Sequence, residues 1–139
     1  MKNCIRRIQC VVLVMVLIFG SIGAVRVSKE AGAASTYKIK INKQQNCVTI
    51  YKLQSNGKYK PVKAMSCSTG AATPIGTFPL GEKMRWHTLM GPCYGQYCTR
   101  IHGGVLFHSV WYYRQTPSSL SASSYNKLGI TASHGCVRL

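Results

Sequence analysis

Two short stretches carry residue types that do covalent chemistry: Phe107-His108-Ser109, and Ser133-His134-Gly135-Cys136-Val137-Arg138. A thiol becomes a nucleophile when its thiolate is favoured, and a nearby imidazole or guanidinium achieves that. His134 precedes Cys136 by two residues and Arg138 follows it by two, so on an extended segment all three project to one face. Gly135 permits the sharp backbone that exposes the sulfur and aims N–H groups at a developing oxyanion. His108 ends the apolar run Val105-Leu106-Phe107 and is suited to be a base for a nucleophile brought from elsewhere in the chain. Its other ring N–H must then go to a backbone carbonyl, which suffices, because fixing the tautomer needs an acceptor and not a charge. The rival reading of Cys136 is a buried structural cysteine in a terminal strand; a second histidine at the end of a strand weighs against it.

Composition leaves few other chemistries. The 139 residues hold 18 Lys and Arg against 2 acidic side chains, Glu30 and Glu82, and there is no Asp. A carboxylate pair for glycoside hydrolysis, a Ser-His-Asp triad or a carboxylate-rich Mg²⁺ or Ca²⁺ site cannot be assembled from that set. The length supports about one domain with a modest core.

The amino terminus reads as a leader. Lys2, Arg6 and Arg7 precede an unbroken apolar run from Cys10 to Phe19, and Ala31-Gly32-Ala33 supplies small residues for a cleavage site. This is the layout of a secretory signal peptide over residues 1–33, with a domain at 34–139 lying outside the cytoplasmic membrane. The rival is an uncleaved signal anchor that would tie the protein to the membrane through this segment alone. Without residues 1–33 the chain loses five basic residues and Glu30, and remains strongly cationic against Glu82 alone. For an exported protein the expected polyanion is anionic cell-wall polymer and not nucleic acid.

Of the seven cysteines, Cys4 and Cys10 fall in the leader, leaving five, an odd number in an oxidising compartment. Asn56-Gly57 is a hairpin signal of the type I′ kind. Folding there brings Cys47 opposite Ser66 or, with one bulged residue, Cys67, so a Cys47–Cys67 bridge is geometrically sensible, though one residue of register forbids it. Cys93 and Cys98 flank Tyr94-Gly95-Gln96-Tyr97, read as a Gly-containing turn, and are expected to form a local bridge. Cys136 is then the unpaired thiol. Cys93, Cys98 and His102 together offer a zinc site as an alternative, but three ligands without a fourth make it the poorer reading.

The elements that must position these groups are mostly strands. Tyr37 to Ile41 alternates with period two, Val48 to Tyr51 is β-branched and aromatic, Tyr59 to Met65 completes the hairpin, and Val105 to Phe107 is a short apolar strand. Thr116 to Ser124 reads as a surface loop, and Ser124 to Leu128 as a short helix closed by Gly129. The fold class is mostly β, a sandwich or closed sheet with one or two short helices.

The two catalytic stretches, in this order, resemble the signature of L,D-transpeptidase catalytic domains of bacterial cell-wall synthesis. Upstream, Ser66-Cys67-Ser68-Thr69-Gly70 followed by Thr73-Pro74-Ile75-Gly76-Thr77-Phe78 resembles a second stretch typical of the same domains. The resemblance runs from about Thr36 to Leu139 and implies a β-sandwich with the cysteine in a cleft. It further implies Cys136 as nucleophile, His108 as its base and the Ser109 backbone carbonyl as the orienting acceptor. Ser133, His134 and Arg138 would shape the cleft and hold substrate, and the Gly135 and Cys136 N–H groups would form the oxyanion hole. The partner implied is the peptidoglycan stem peptide, with no metal and no organic cofactor. Two departures accompany it: the Arg114 to Asn126 loop is enlarged, and the chain stops directly after the last motif, where family members continue, so an incomplete carboxy terminus is expected. The competing function is a catalytically inactive cationic module or fragment that binds anionic wall polymer. A sortase-like transpeptidase also combines Cys, His and Arg, but Ser-His-Gly-Cys does not resemble its cysteine motif.

Overall fold

A computed structural model describes residues 34–139, and the leader expected at residues 1–33 lies outside the described residues. Seven strands follow in chain order: β1 (Tyr37–Asn42), β2 (Cys47–Leu53), β3 (Tyr59–Ser66), β4 (Lys83–Thr88), β5 (Tyr94–His102), β6 (Val105–His108) and β7 (Val137–Arg138). They form two sheets, an antiparallel β1-β2-β3 and a four-stranded β4-β5-β6-β7 in which only the β6–β7 pair is parallel. One 3₁₀ turn (Pro117–Ser119) and one helical turn, α1 (Ala122–Tyr125), interrupt the long connection to β7. The mostly β, sandwich-like architecture read from the sequence is the one observed.

The core lies where the sheets meet. Val48 of β2, Cys67 just past β3, Ile101 of β5, Phe107 of β6 and Val137 of β7 are all buried, and Ile41, Met65, Phe78, Val105 and Leu139 pack against them. Strand alternation explains the set. Phe107 pairs with Val137 and both point inward, so their neighbours His108 and Arg138 must point to the opposite side of the sheet. Burying the apolar side of β6 therefore fixes which way the histidine faces.

Three local expectations are corrected. The hairpin between β2 and β3 is a loop of Gln54 to Lys58 in which only Gly57, at φ 74°, takes the left-handed conformation. Asn56 acts through its side chain instead, its Oδ1 accepting from Lys58 N at 3.0 Å. A bulge between Ile50 and Tyr51 sets Cys47 directly opposite Ser66, leaving Cys67 one position further along, with its N–H on Asn46 O at 2.8 Å. The helix begins at Ala122 and not at Ser124, because Ser121 caps it, its Oγ accepting from Ser124 N at 3.2 Å.

The largest correction is at Cys93 to Cys98. This segment is not a turn: Tyr94–His102 is the longest strand, paired with β4 from Thr88↔Tyr94 to Lys83↔Thr99. Gly95 is there for close approach, since a Cβ at that position would stand 3.0 Å from Cys98 Sγ and 3.0 Å from His108 Cβ. Cys93 and Cys98 are five residue steps apart along this strand, on the order of 15 Å, about twice the reach of a disulfide. The Cys93–Cys98 bridge is thus excluded, and all five cysteines of the described residues, Cys47 and Cys67 included, are free thiols.

Candidate active site

Strand β7 is only two residues long, yet it places the site. It pairs with β6 as Phe107↔Val137 and His108↔Arg138, so His108 and Arg138 stand side by side on the sheet face turned away from the core. Cys136, two residues before Arg138, projects to that same face. Its sulfur is half-buried against the β5–β6 turn, where Leu106 N donates to it at 3.4 Å and Gly104 O lies at 4.0 Å.

His108 is buried, at 3% exposure, with Nδ1 2.5 Å from Ser109 O. The carbonyl accepts from Nδ1–H and so leaves Nε2 as the basic nitrogen. Burial pushes the His108 imidazole down to about 4, aided by the Arg138 and His87 charges and opposed by the Ser109 bond. His108 is therefore neutral at neutral pH and able to take a proton. Ser109 is itself fixed: its N donates to Gln96 O at 3.0 Å, and its Oγ accepts from Gln96 N at 2.9 Å and donates to Val110 O at 2.7 Å.

Burial pushes Cys98 up to about 11, with Cys136 nearby adding to the effect, and likewise Cys67 up to about 11, beside Cys47. Cys93 is also raised by burial, partly offset by the Arg138 charge. Two of the four are thus buried, protonated groups, whereas Cys136 is half-exposed on the histidine face.

The segment before the cysteine is braced from behind by residues 68–73, to which the sequence pattern alone assigns no role. Ser68 exchanges both backbone bonds with Arg138, at 2.9 Å each. Ser133 N donates to Thr69 O at 3.1 Å, and Ala72 N to His134 O at 3.0 Å. Thr73, 3% exposed, donates from Oγ1 to Gly135 O at 2.7 Å and accepts from Gly70 N at 2.9 Å. Gly70 has no room for a side chain: a Cβ would fall 2.2 Å from Ser133 O. Asn46, at φ 46° in the β1–β2 turn, anchors Thr69 by accepting from its N at 2.9 Å and its Oγ1 at 2.7 Å. Lys43 Nζ closes the far side on Thr73 O at 2.6 Å. The brace leaves Gly135 and Cys136 a single backbone course.

Of the residues singled out in the sequence, His108 is paired across the sheet with Arg138 and tethered to the Ser109 carbonyl, while Cys136 lies two residues before Arg138 with its sulfur at Leu106 N. Ser133 turns inward to support the motif, its Oγ donating to Cys136 O at 2.6 Å. His134 is exposed at the rim. Arg138 Nε is buried without a hydrogen-bond partner, a donor left over on the site face. Within residues 114–126, Ser119 Oγ accepts from Arg114 N at 3.0 Å and lies 2.9 Å from both Arg114 O and Thr116 O, and Ser121 N donates back to Trp111 O at 3.0 Å. Among the described residues no three His, Cys, Asp or Glu side chains converge as metal ligands.

The family model for the L,D-transpeptidase catalytic domain (YkuD) matches residues 36–139. Among solved structures, the chain is similar to a fused Zn-dependent amidase/peptidase/peptidoglycan-binding domain-containing protein from Clostridium acetobutylicum. The TM-score is 0.55 and the identity 22%, over 76% of this chain and 42% of that one. That likeness is one of fold, and this chain spans less than half the length of that protein. A comparison with curated proteins gave no match.

Proposed function

The chain belongs to the L,D-transpeptidase catalytic domain family, and on that premise we propose that it is a cysteine acyltransferase acting on peptidoglycan stem peptides outside the cytoplasmic membrane. The observation that carries the reading is the buried His108, tethered through Nδ1 to Ser109 O and paired across the sheet with Arg138, two residues beyond Cys136. In the first step His108 Nε2 takes the thiol proton, and Cys136 Sγ attacks the carbonyl carbon after the third residue of a tetrapeptide stem. The negative charge that develops on the carbonyl oxygen is met by the N–H groups of Gly135 and Cys136. The C–N bond to the terminal D-alanine breaks, His108 returns its proton to the leaving amine, and a thioester remains on Cys136.

In the second step an amine of a neighbouring stem attacks the thioester, His108 accepts the amine proton, and the thiol is released. Nowhere does the cycle need a carboxylate, which suits a domain whose one acidic side chain, Glu82, is exposed and paired with Arg100 at 3.4 Å. Arg138 supplies fixed positive charge beside the histidine. The leader would bring the domain to its substrate, and an uncleaved leader would keep it at the membrane.

D-Alanine release from a purified disaccharide-tetrapeptide tests the proposal. The full chain releases D-alanine, while Cys136→Ala and His108→Asn do not. Release that persists in Cys136→Ala, or none from wild-type protein with a cooperative unfolding transition, contradicts it.

A further inference from the structure

The β1-β2-β3 sheet does more than support the brace. The core reaches only its Ile41-Val48-Met65 end. Beyond that row the strands overhang with both faces in solvent, and Tyr37, Ile39 and Val62 are 51%, 37% and 52% exposed. This overhang carries Lys38, Lys40, Lys52, Lys58, Lys60 and Lys63, all exposed, with no acidic residue and no arginine between Tyr37 and Ser66. Lys52 and Lys60 are directly opposite one another across β2 and β3. On the other face Lys38 lies over the Tyr59 ring at 4.1 Å and Lys40 over the Tyr51 ring at 5.1 Å.

Like charges placed opposite each other in a sheet oppose folding, and here nothing in the sheet offsets them. The described residues contain one carboxylate side chain, and Arg100 of the other sheet already holds it. We propose that this overhang is a docking site for a linear phosphodiester polymer of the cell wall, a polyol phosphate that wraps the end of the sheet. Three features choose this occupant. The charges lie on both faces of a sheet one strand-layer thick, so a flexible single chain engages all of them and a stiff duplex cannot. They are all lysines, compact point charges that suit isolated phosphates, not the planar fork that arginine offers to paired acceptors. Finally, Lys38 and Lys40 each already cover one face of the Tyr59 and Tyr51 rings, which competes with nucleobase stacking there.

This inference goes beyond the acyl-transfer reading and borrows from it only the wall as the setting. The sites are separate: from Lys60 to Ser68, which bonds Arg138, is eight residues of nearly extended chain, roughly 26 Å. Docking on the polymer would hold the cleft near its substrate without touching the chemistry.

The test is cosedimentation of the full chain with purified walls that carry a polyol-phosphate polymer, and with the same walls stripped of it, across a salt series. Wild-type protein binds intact walls at low salt and loses most of that binding on stripped walls. The Lys38→Gln, Lys40→Gln, Lys52→Gln, Lys60→Gln variant binds intact walls at least tenfold more weakly. Its slope of log affinity against log salt is shallower by roughly 2 to 3, as expected for four lost phosphate contacts on a flexible chain. Equal binding to stripped walls, unchanged binding by the variant, or stronger competition by DNA than by free polymer at equal phosphate overturns the proposal. D-Alanine release from the soluble disaccharide-tetrapeptide is the same for both proteins. If neither releases it while the wall binding behaves as described, the acyl-transfer reading fails and the docking site stands.

Discussion

Acidification destabilises this protein through His108 more than through any carboxylate. Its folded-state value of about 4 lies below the ordinary 6.5, because burial disfavours the imidazolium. Between those two values the unfolded chain binds a proton that the folded protein refuses, so stability falls as pH drops through that window and levels off below about 4. The full gap corresponds to roughly 3 kcal/mol, and the part sampled between pH 7 and pH 4.5 to roughly 2 kcal/mol. Most proteins bury this effect under carboxylate titrations. Here Glu30 and Glu82 are the only acidic side chains, and the exposed Glu82–Arg100 pair contributes little. His108→Asn is the matched control, since its amide can still donate to Ser109 O but does not titrate; the other histidines are common to both proteins and cancel. Urea unfolding at pH 7, 6, 5 and 4.5 should show wild type losing roughly 2 kcal/mol more than the variant. Parallel pH profiles for the two proteins would mean that His108 is hydrated or charged in the folded state, and would remove the neutral base on which the proposed mechanism depends.

Three further outcomes follow from the brace and the strands. Thr73→Val leaves Gly135 O and Gly70 N buried without partners, at roughly 1–3 kcal/mol each; urea midpoints should fall accordingly and D-alanine release should slow, with Thr73→Ser restoring both. Gly70→Ala drives a Cβ to 2.2 Å from Ser133 O, whereas Gly104 has open space around it, so the first substitution should prevent folding or lower the melting temperature sharply and Gly104→Ala should not; equal melting temperatures would contradict the packing at Gly70. Peptide mapping of unreduced protein should find no Cys93–Cys98 bridge, and recovering one would overturn β5 as a continuous strand.

Strands β1, β2 and β6 were legible because period-two alternation and β-branched residues report a local preference that the sandwich also uses. Gly95 misled for a physical reason: a glycine between two cysteines looks like a turn, yet this one makes room for Cys98 and His108 within a strand. The bulge at Ile50/Tyr51 and the left-handed Asn46 are set by how the sheets meet, and no local pattern announces them. Candidates for nucleophile and base could be named from the sequence, because few residue types act as either. The supporting residues could not. Thr73 reaches Gly135 across 62 positions, and Asn46 reaches Thr69 across 23. A threonine before a proline or an asparagine in a turn carries no signal of what it will bond.

The most direct measurement of the central claim is the intact mass of the full chain after incubation with a disaccharide-tetrapeptide, beside Cys136→Ala. The account predicts a mass gain equal to the substrate minus D-alanine, present in wild type, absent in Cys136→Ala, and removed by an added amine acceptor or by mild thioester hydrolysis. An adduct of the same mass on the Cys136→Ala protein, or no adduct on wild-type protein that unfolds cooperatively, would show that Cys136 does not carry the acyl group.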